Sequence, residues 1–174
     1  MKNLEFFKAC FQSEFKATYE IIKAIPENKL AYTPHPINRT SSEIAEHIVA
    51  HIFDFSVILQ NDTCDERLAF PFSSPSDLAQ KMKILWSEAM DILDNYDDDK
   101  WEREMVTLLI GGKLFGEMPR FQMMWFFLND VIHHRGQLSS YIRPMGGKNP
   151  AVYGWSADTV TCLLYTSDAA DDRV

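Results

Sequence analysis

Four long segments of the sequence place apolar residues at intervals of three and four positions, which is the spacing of one face of an α-helix. Each such helix must bury its apolar face against another element, and substantial loops separate the segments along the chain. We therefore predict an all-α fold, a four-helix bundle with crossover loops. The predicted helices cover residues 4–25, 41–60, 75–93 and 119–142.

Two of these helices carry recognisable start signals. Thr40 and Glu43 have the spacing of a capping box, so the second helix is predicted to begin directly after Thr40. Ser74 followed by Pro75 predicts the start of the third helix, because proline suits the first helical position. The third helix runs into the acidic stretch DNYDDDK, which we interpret as a solvated turn.

Between the third and fourth helices the apolar spacing weakens. Gly111 and Gly112 stand between two short apolar runs, which predicts a short β-hairpin near residues 104–116, with a helix of low regularity as the alternative. In the last helix, Gly136 occupies an interior position, where glycine costs about 1 kcal/mol relative to alanine. We interpret Gly136 as a point where another helix approaches closely.

The end of the chain differs in character from the rest. The segment CLLYTSDAADD, residues 162–172, is similar to the translation of a sequencing-library transposon adapter. We therefore predict one domain over residues 1–161 and a non-native tail over residues 162–174, with the natural sequence unreadable beyond about Thr161. A natural acidic tail is the alternative interpretation.

Charge and hydropathy exclude several classes of partner. The formal net charge is −8 at pH 7, whereas a protein that binds nucleic-acid phosphates needs a basic face. No apolar stretch approaches the roughly 20 residues that a membrane span requires. The N-terminus is interrupted by Glu5, Lys8 and Glu14 and does not have the pattern of a signal peptide.

Cysteine content and the first helix bear on compartment and assembly. The three cysteines form no disulfide framework, so we expect a reducing cytoplasm; they are Cys10, Cys64 and Cys162. The first helix carries a series of phenylalanines that suggests a homodimer surface, with ordinary core packing as the alternative; they are Phe6, Phe7, Phe11 and Phe15.

The candidate site is a group of polar side chains on otherwise apolar helix faces. Asp130 and His134 are four residues apart, so they lie one turn above the other on one face of the last helix. A buried carboxylate is costly unless it is partnered. His47, on the second helix, is also expected to face inward, and the spacing does not distinguish it from His51.

We therefore predict a metal site formed by His47, Asp130 and His134. Two imidazoles and one carboxylate leave coordination positions open, as in catalytic sites. Three further side chains of the last helix are candidates for supporting the ligands or facing a substrate, namely Arg135, Gln137 and Tyr141. The alternative is a set of core histidines that only form hydrogen bonds. His133 is interpreted as packing or supporting the ligands, and His35 as an ordinary loop residue.

The stretches NDVIHHRGQLSSYIRPMGGKNPAVYG (129–154) and SSEIAEHIVAHIFDF (41–55) resemble the DinB/YfiT-like superfamily of metal-dependent enzymes. The resemblance covers residues 4–158 and implies three histidine ligands, one in the second helix and two spaced by four in the last. His47 and His134 match that pattern, whereas position 130 holds aspartate. An anionic oxygen donor at this position shifts the preference among Zn, Ni, Mn and Fe.

The resemblance also implies a reaction. Members of the superfamily include transferases that use bacillithiol or mycothiol, and a related isomerase. We accordingly expect a metal-dependent thiol S-transferase that acts on a small electrophile, with Zn or Ni as the favoured ion, Mn or Fe as alternatives, and a low-molecular-weight thiol as cosubstrate. The alternatives are a metal-dependent hydrolase using bound hydroxide and a non-catalytic, stress-related helical bundle.

Overall fold

The computed structural model describes residues 1–159, which form mainly α-helices together with a few short strands. The predicted tail, including Cys162, lies outside these residues. The helices are α1 (Asn3–Lys23), α2 (Ser41–Gln60), α3 (Pro75–Asp94), α4 (Asp98–Arg103) and α5 (Arg120–Ile142), with a short 3-10 helix at Glu27–Lys29. The strands are β1 (Thr63–Asp65), β2 (Met105–Ile110) and β3 (Lys113–Pro119). None of the helices within residues 1–159 is both long and apolar enough to cross a membrane.

The predicted helix starts are confirmed at α2 and α3. The Thr40 hydroxyl accepts a hydrogen bond from the Glu43 amide at 3.3 Å, and the Glu43 carboxylate accepts one from the Thr40 amide at 2.7 Å. At α3, the Ser74 hydroxyl accepts from the Asp77 amide at 3.1 Å, and Pro75 is the first helical residue. These bonds satisfy amide groups that have no partner inside the helix.

The four long helices pack in a closed cycle of pairs: α1 and α2 each contact both α3 and α5. Large aromatic side chains fill the space between them, and the Phe11 ring stacks on the Trp86 ring at 4.2 Å. Phe7 and Phe11 are fully buried in this core, so the interpretation of these two residues as dimer surface is wrong. Phe6 is 51% exposed. The homodimer itself stays a prediction.

A three-stranded sheet of order β1-β2-β3 lies beside the helices, so an all-α description is too narrow. The predicted hairpin is confirmed: β2 and β3 are antiparallel, and both turn glycines have positive φ, 58° at Gly111 and 75° at Gly112. The parallel strand β1 was not predicted, because three residues inside a loop carry no periodic signal. Glu66 directly follows β1, and its amide donates a hydrogen bond to the Leu109 carbonyl of β2.

One further sequence interpretation holds only in part, and another is wrong. The acidic run is exposed and turns at residues 95–97, as interpreted, but from Asp98 onward it forms the short helix α4. The Asp97 carboxylate caps this helix by accepting a hydrogen bond from the Lys100 amide. Gly136 is exposed, and a Cβ added to it would meet no atom within 4 Å, so no helix approaches there.

Candidate metal centre

Two turns of α2 and two turns of α5 face each other and carry the titratable side chains of the candidate site. His47 and His51 lie one turn apart on α2, and Asp130 and His134 lie one turn apart on α5. Because residues four apart share a helix face, the contact between α2 and α5 brings both pairs into one interface. The apolar neighbours on these helices place the pairs at the edge of the core.

The three histidines converge on a single oxygen atom. The Nε2 atoms of His51, His47 and His134 lie 2.8, 3.2 and 3.3 Å from Asp130 Oδ2. The His47 ring centre lies 4.2 Å from that of His51 and 4.6 Å from that of His134. The cluster is therefore compact and contains three imidazoles rather than the two that were predicted.

The cluster is closed on the core side and open on one other side. His47 and His51 are buried, and the His51 ring packs against Phe127 at 4.6 Å. The Asp130 side chain is 31% exposed, so it forms the solvent-facing side of the cluster.

The second ring nitrogens of the three histidines differ in their partners. His134 Nδ1 lies 3.1 Å from Gln137 Oε1, within hydrogen-bond distance. His51 Nδ1 lies 3.8 Å from Asp54 Oδ2, and His47 Nδ1 lies 4.0 Å from Glu66 Oε1. The Nδ1 atoms of His47 and His51 are buried and have no hydrogen-bond partner within residues 1–159.

The charges in this cluster shift the pKa values of its members. Burial works against ionisation of the Asp130 carboxyl, but hydrogen bonds from His134, His47 and His51 outweigh it and hold its pKa well below its usual range. Burial lowers the pKa of His47. Burial also opposes protonation of His51, but the nearby Asp130 and Asp54 carboxylates outweigh this effect and raise the pKa of His51. At pH 7 the Asp130 side chain is therefore an anionic candidate ligand for a metal ion, and the His47 ring is a neutral one.

The donor atoms fit a divalent ion. The ligand atoms of His47, Asp130 and His134 all lie within 4.8 Å of one another, as do those of His47, His51 and Glu66. Two ligands of a tetrahedral ion at roughly 2.1 Å stand about 3.4 Å apart. The separations of 3.2 and 3.3 Å between Asp130 Oδ2 and the Nε2 atoms of His47 and His134 match that edge length. Imidazoles with a carboxylate are suitable ligands for Zn, Fe, Ni and Mn.

The predicted supporting residues divide into one that contacts the site and two that do not. Gln137 accepts a hydrogen bond from His134, as expected. Arg135 was wrongly expected near the site, because the next residue of a helix points about 100° away. Its guanidinium instead donates to Glu14 and Thr18 of α1 and to Tyr153.

Tyr141 is the second predicted residue that the structure places elsewhere. It lies seven residues beyond His134, which is roughly 10 Å along the helix axis. Its hydroxyl donates to the Arg39 carbonyl at 3.4 Å, and its ring contacts the Tyr32 ring with centres 5.7 Å apart. Tyr141 therefore packs α5 against the loop that precedes α2.

Sequence reasoning missed two acidic residues beside the histidines. Asp54 follows His51 by three residues on α2, so its spacing could have indicated it. Glu66 lies in the loop after β1, where its amide donates to the Leu109 carbonyl at 2.8 Å. Its Oε1 lies 4.0 Å from both His47 Nδ1 and His51 Nε2. No spacing in the sequence indicates this contact. His133 and His35 are exposed and lie outside the cluster.

Comparisons with known proteins agree with this architecture. The DinB family model matches residues 1–166. The uncharacterized protein YjoA of Bacillus subtilis (strain 168) is 23% identical over 137 residues, which cover 78% of this chain and 86% of YjoA. The match to the family model extends past Thr161, and the origin of the last segment stays a prediction.

Two crystal structures share the fold. The DinB-like YjoA from Bacillus subtilis superposes with a TM-score of 0.63 at 20% identity, covering 80% of this chain and 91% of YjoA. A DinB-like protein from Bacillus cereus ATCC 10987 superposes with a TM-score of 0.69 at 22% identity, covering 86% of this chain and 97% of that protein.

Proposed function

Because this chain belongs to the DinB family, we propose that it is a metal-dependent enzyme built on a four-helix bundle, which binds one divalent ion between α2 and α5 through His47, Asp130 and His134. The observation that carries the proposal is the pair of 3.2 and 3.3 Å separations between Asp130 Oδ2 and the two Nε2 atoms. These separations suit ligands of one ion, with Zn or Ni as the favoured ion and Mn or Fe as alternatives.

The proposed reaction is transfer of a low-molecular-weight thiol to a small electrophile. A divalent ion at this position supplies Lewis acidity, which lowers the pKa of a thiol beside it. In that reaction the thiol sulfur forms a bond to the electrophilic carbon, the leaving group departs with its bonding electron pair, and the thiol proton passes to solvent on the open side near Asp130. The support for a thiol comes from the family resemblance.

Individual side chains have distinct tasks in this proposal. Gln137 accepts a hydrogen bond from His134 Nδ1, which leaves the Nε2 lone pair free to bind an ion. Burial lowers the pKa of His47, which favours the neutral ring, so its Nε2 can also give its lone pair to the ion. On the open side, the half-exposed Phe126 precedes Asp130 by one turn and lies 6.2 Å from the Phe115 ring, which suits the apolar part of an electrophile.

One observation favours a second candidate, a non-catalytic bundle. Asp130 Oδ2 lies within hydrogen-bond distance of His51 Nε2 at 2.8 Å, so the cluster has partners for its charge without an ion. In that case chelators leave the thermal stability unchanged, whereas a metalloprotein loses stability when it is stripped.

The first test is metal content of protein purified without an affinity tag and equilibrated with Zn, Ni, Mn or Fe. We expect about one divalent ion per chain, lost in His134→Ala and retained in His133→Ala, which changes an exposed histidine next to the site. If none of these ions binds, the enzyme proposal fails and the non-catalytic bundle is favoured.

The second test identifies the reaction. The metal-loaded protein is given a chloronitrobenzene electrophile with bacillithiol, with glutathione or without a thiol. Formation of the thioether only with a thiol, and its loss in His134→Ala, supports the transferase. Conversion of the electrophile at an equal rate without any thiol contradicts the transferase and identifies a hydrolase.

A further inference from the structure

A cleft of about 410 Å³ lies beside the first turns of α2 and carries charges of both signs. The residues that line it are Arg39, Glu43, Glu46, Leu68 and Ala69. Arg39 precedes the helix, the two glutamates lie on its first two turns, and the two apolar residues belong to the loop after β1. Small-molecule sites typically have volumes of roughly 300–1,000 Å³. The cleft is therefore large enough for a ligand of the size of an amino acid.

Two of the charged groups in this cleft have no partner within residues 1–159. The Glu43 carboxylate accepts hydrogen bonds from the Thr40 amide and hydroxyl at 2.7 and 2.8 Å. The half-buried Glu46 carboxylate, in contrast, has neither a hydrogen bond nor an ion pair there, and the same is true of the exposed Arg39 guanidinium. A half-buried charge without a partner is unfavourable, so these two groups suit a ligand that supplies the opposite charges.

The cleft lies one helical turn from the proposed metal ion. Glu43 precedes His47 by four residues, so the two side chains share a face of α2 and lie about 6 Å apart along its axis. On the loop side, Leu68 and Ala69 closely follow Glu66, whose Oε1 lies 4.0 Å from His47 Nδ1. A ligand held in the cleft can therefore extend along α2 toward the ion.

Contacts between α2 and α5 fix the position of the cleft relative to the rest of the site. The Tyr141 hydroxyl donates to the Arg39 carbonyl at 3.4 Å, which holds the backbone that carries the guanidinium. Further along α2, His51 contacts Asp130, which comes earlier on α5 than Tyr141, so the two helices are antiparallel. Phe126, one turn before Asp130, therefore lies at the other end of the ligand set. One end of the site suits a charged group and the other an apolar electrophile.

We propose that this cleft binds the α-amino-acid group of the thiol cosubstrate, with the carboxylate against Arg39 and the ammonium against Glu46. This assignment rests on the proposed function. A ligand that carried only a negative charge would meet the two glutamates, and one that carried only a positive charge would meet the guanidinium. A group with both charges is matched best. Leu68 and Ala69 contact the carbon chain between the charged group and the sulfur.

The test measures the binding of thioethers, which cannot form a thiolate, to the metal-free full chain. S-methylcysteine carries both charges, S-methylcysteamine only the ammonium and methylthiopropionate only the carboxylate; NMR follows the backbone amides of Leu68 and Ala69. We expect S-methylcysteine to bind roughly tenfold more tightly than either analogue, the effect of one hydrogen-bonded charge. Arg39→Gln should lower its affinity to that of S-methylcysteamine, and Glu46→Gln to that of methylthiopropionate.

Control variants separate this effect from a general change in charge or folding. Arg103→Gln and Glu102→Gln change exposed residues of α4 and should leave S-methylcysteine binding unchanged. Arg39→Lys keeps the positive charge and should recover most of the affinity that Arg39→Gln loses. Circular dichroism monitors the fold of each variant.

The outcomes distinguish this assignment from the proposed function. If the chain binds a divalent ion but binds S-methylcysteine no better than its analogues, or equally well in Arg39→Gln and Glu46→Gln, the assignment is overturned and the proposed function stands. If S-methylcysteine binds as expected but no ion binds, the cleft does not serve a metal-bound thiol, and both proposals fail.

Discussion

Replacing Arg135 by alanine tests whether this residue serves the fold or the site. Arg135 is 2% exposed, and its guanidinium donates to the Glu14 carboxylate, with a second bond to Thr18 Oγ1 at 3.2 Å. Glu14 is also nearly buried, and the Tyr153 hydroxyl is its other side-chain donor, at 2.7 Å. The substitution removes the charged partner of this buried carboxylate and leaves it the hydrogen bond from Tyr153.

The expected cost follows from this burial. Breaking a buried ion pair by removing one partner lowers the free energy of unfolding by about 3–5 kcal/mol. For a domain of this size, 1 kcal/mol corresponds to roughly 2–4 °C, so Tm is expected to fall by roughly 6–20 °C. The matched control is Arg143→Ala, because Arg143 pairs with Asp158 at 2.8 Å on the surface and is expected to cost at most about 1 kcal/mol.

The assay is urea unfolding of wild type, Arg135→Ala, Glu14→Gln and the double variant, together with Zn affinity at low urea. We expect strong coupling between the two positions and unchanged Zn affinity, since Arg135 does not contact the histidines. If Arg135→Ala costs no more than Arg143→Ala, the reasoning from burial is wrong. If it instead keeps stability and loses Zn binding, Arg135 belongs to the site after all.

Four other predictions follow from the structure. Gly136→Ala should raise the free energy of unfolding by about 0.5–1 kcal/mol, because the position is helical, exposed and open; a fall in Tm would contradict this. Burial, with nearby carboxylates, raises the pKa of the Cys64 thiol to about 12, so iodoacetamide at pH 8 should label Cys10 in the folded protein and Cys64 only after unfolding, as peptide mass spectrometry would report. Stripping the ion with EDTA should lower Tm of wild type but not of His134→Ala, since an ion at 100 times its Kd adds about 2.7 kcal/mol. The Thr40 amide and hydroxyl lower the pKa of Glu43 from 4.5, so its stabilising contribution is present above pH 4.5 and is lost as the pH falls through the lowered pKa; acid unfolding of Glu43→Gln should lack that component.

The helical part of the fold could be predicted because its signals are local. The capping box at Thr40, the serine-proline start at Ser74 and the glycine pair at 111 and 112 each act within one turn of backbone. The same holds for Asp130 and His134, whose shared face follows from helical spacing alone. Pattern reasoning is reliable where the interacting atoms are neighbours in the chain.

The errors at Arg135 and Glu66 fall where contacts are distant in sequence, whereas the omission of Asp54, three residues after His51, is a local one. Arg135 was expected at the site, but its partner Glu14 lies on α1. The sequence pattern does not indicate which helix covers the face of α5 that carries Arg135. Glu66 follows β1, which pairs with β2, and lies beside His47; the choice between His47 and His51 disappears because both rings reach Asp130. Interactions of this kind depend on how the helices are rotated about their axes.

The amino-acid sequence by itself determined the lengths and starts of the main helices, the hairpin turn and the presence of inward-facing imidazoles, because each depends on residues a few positions apart. Tertiary structure decided that three histidines rather than two converge on Asp130, and that Arg135 belongs to a buried ion pair. The physical reason is that the packing of α2 against α5, and of α1 against α5, sets which side chains on different helices share one desolvated space.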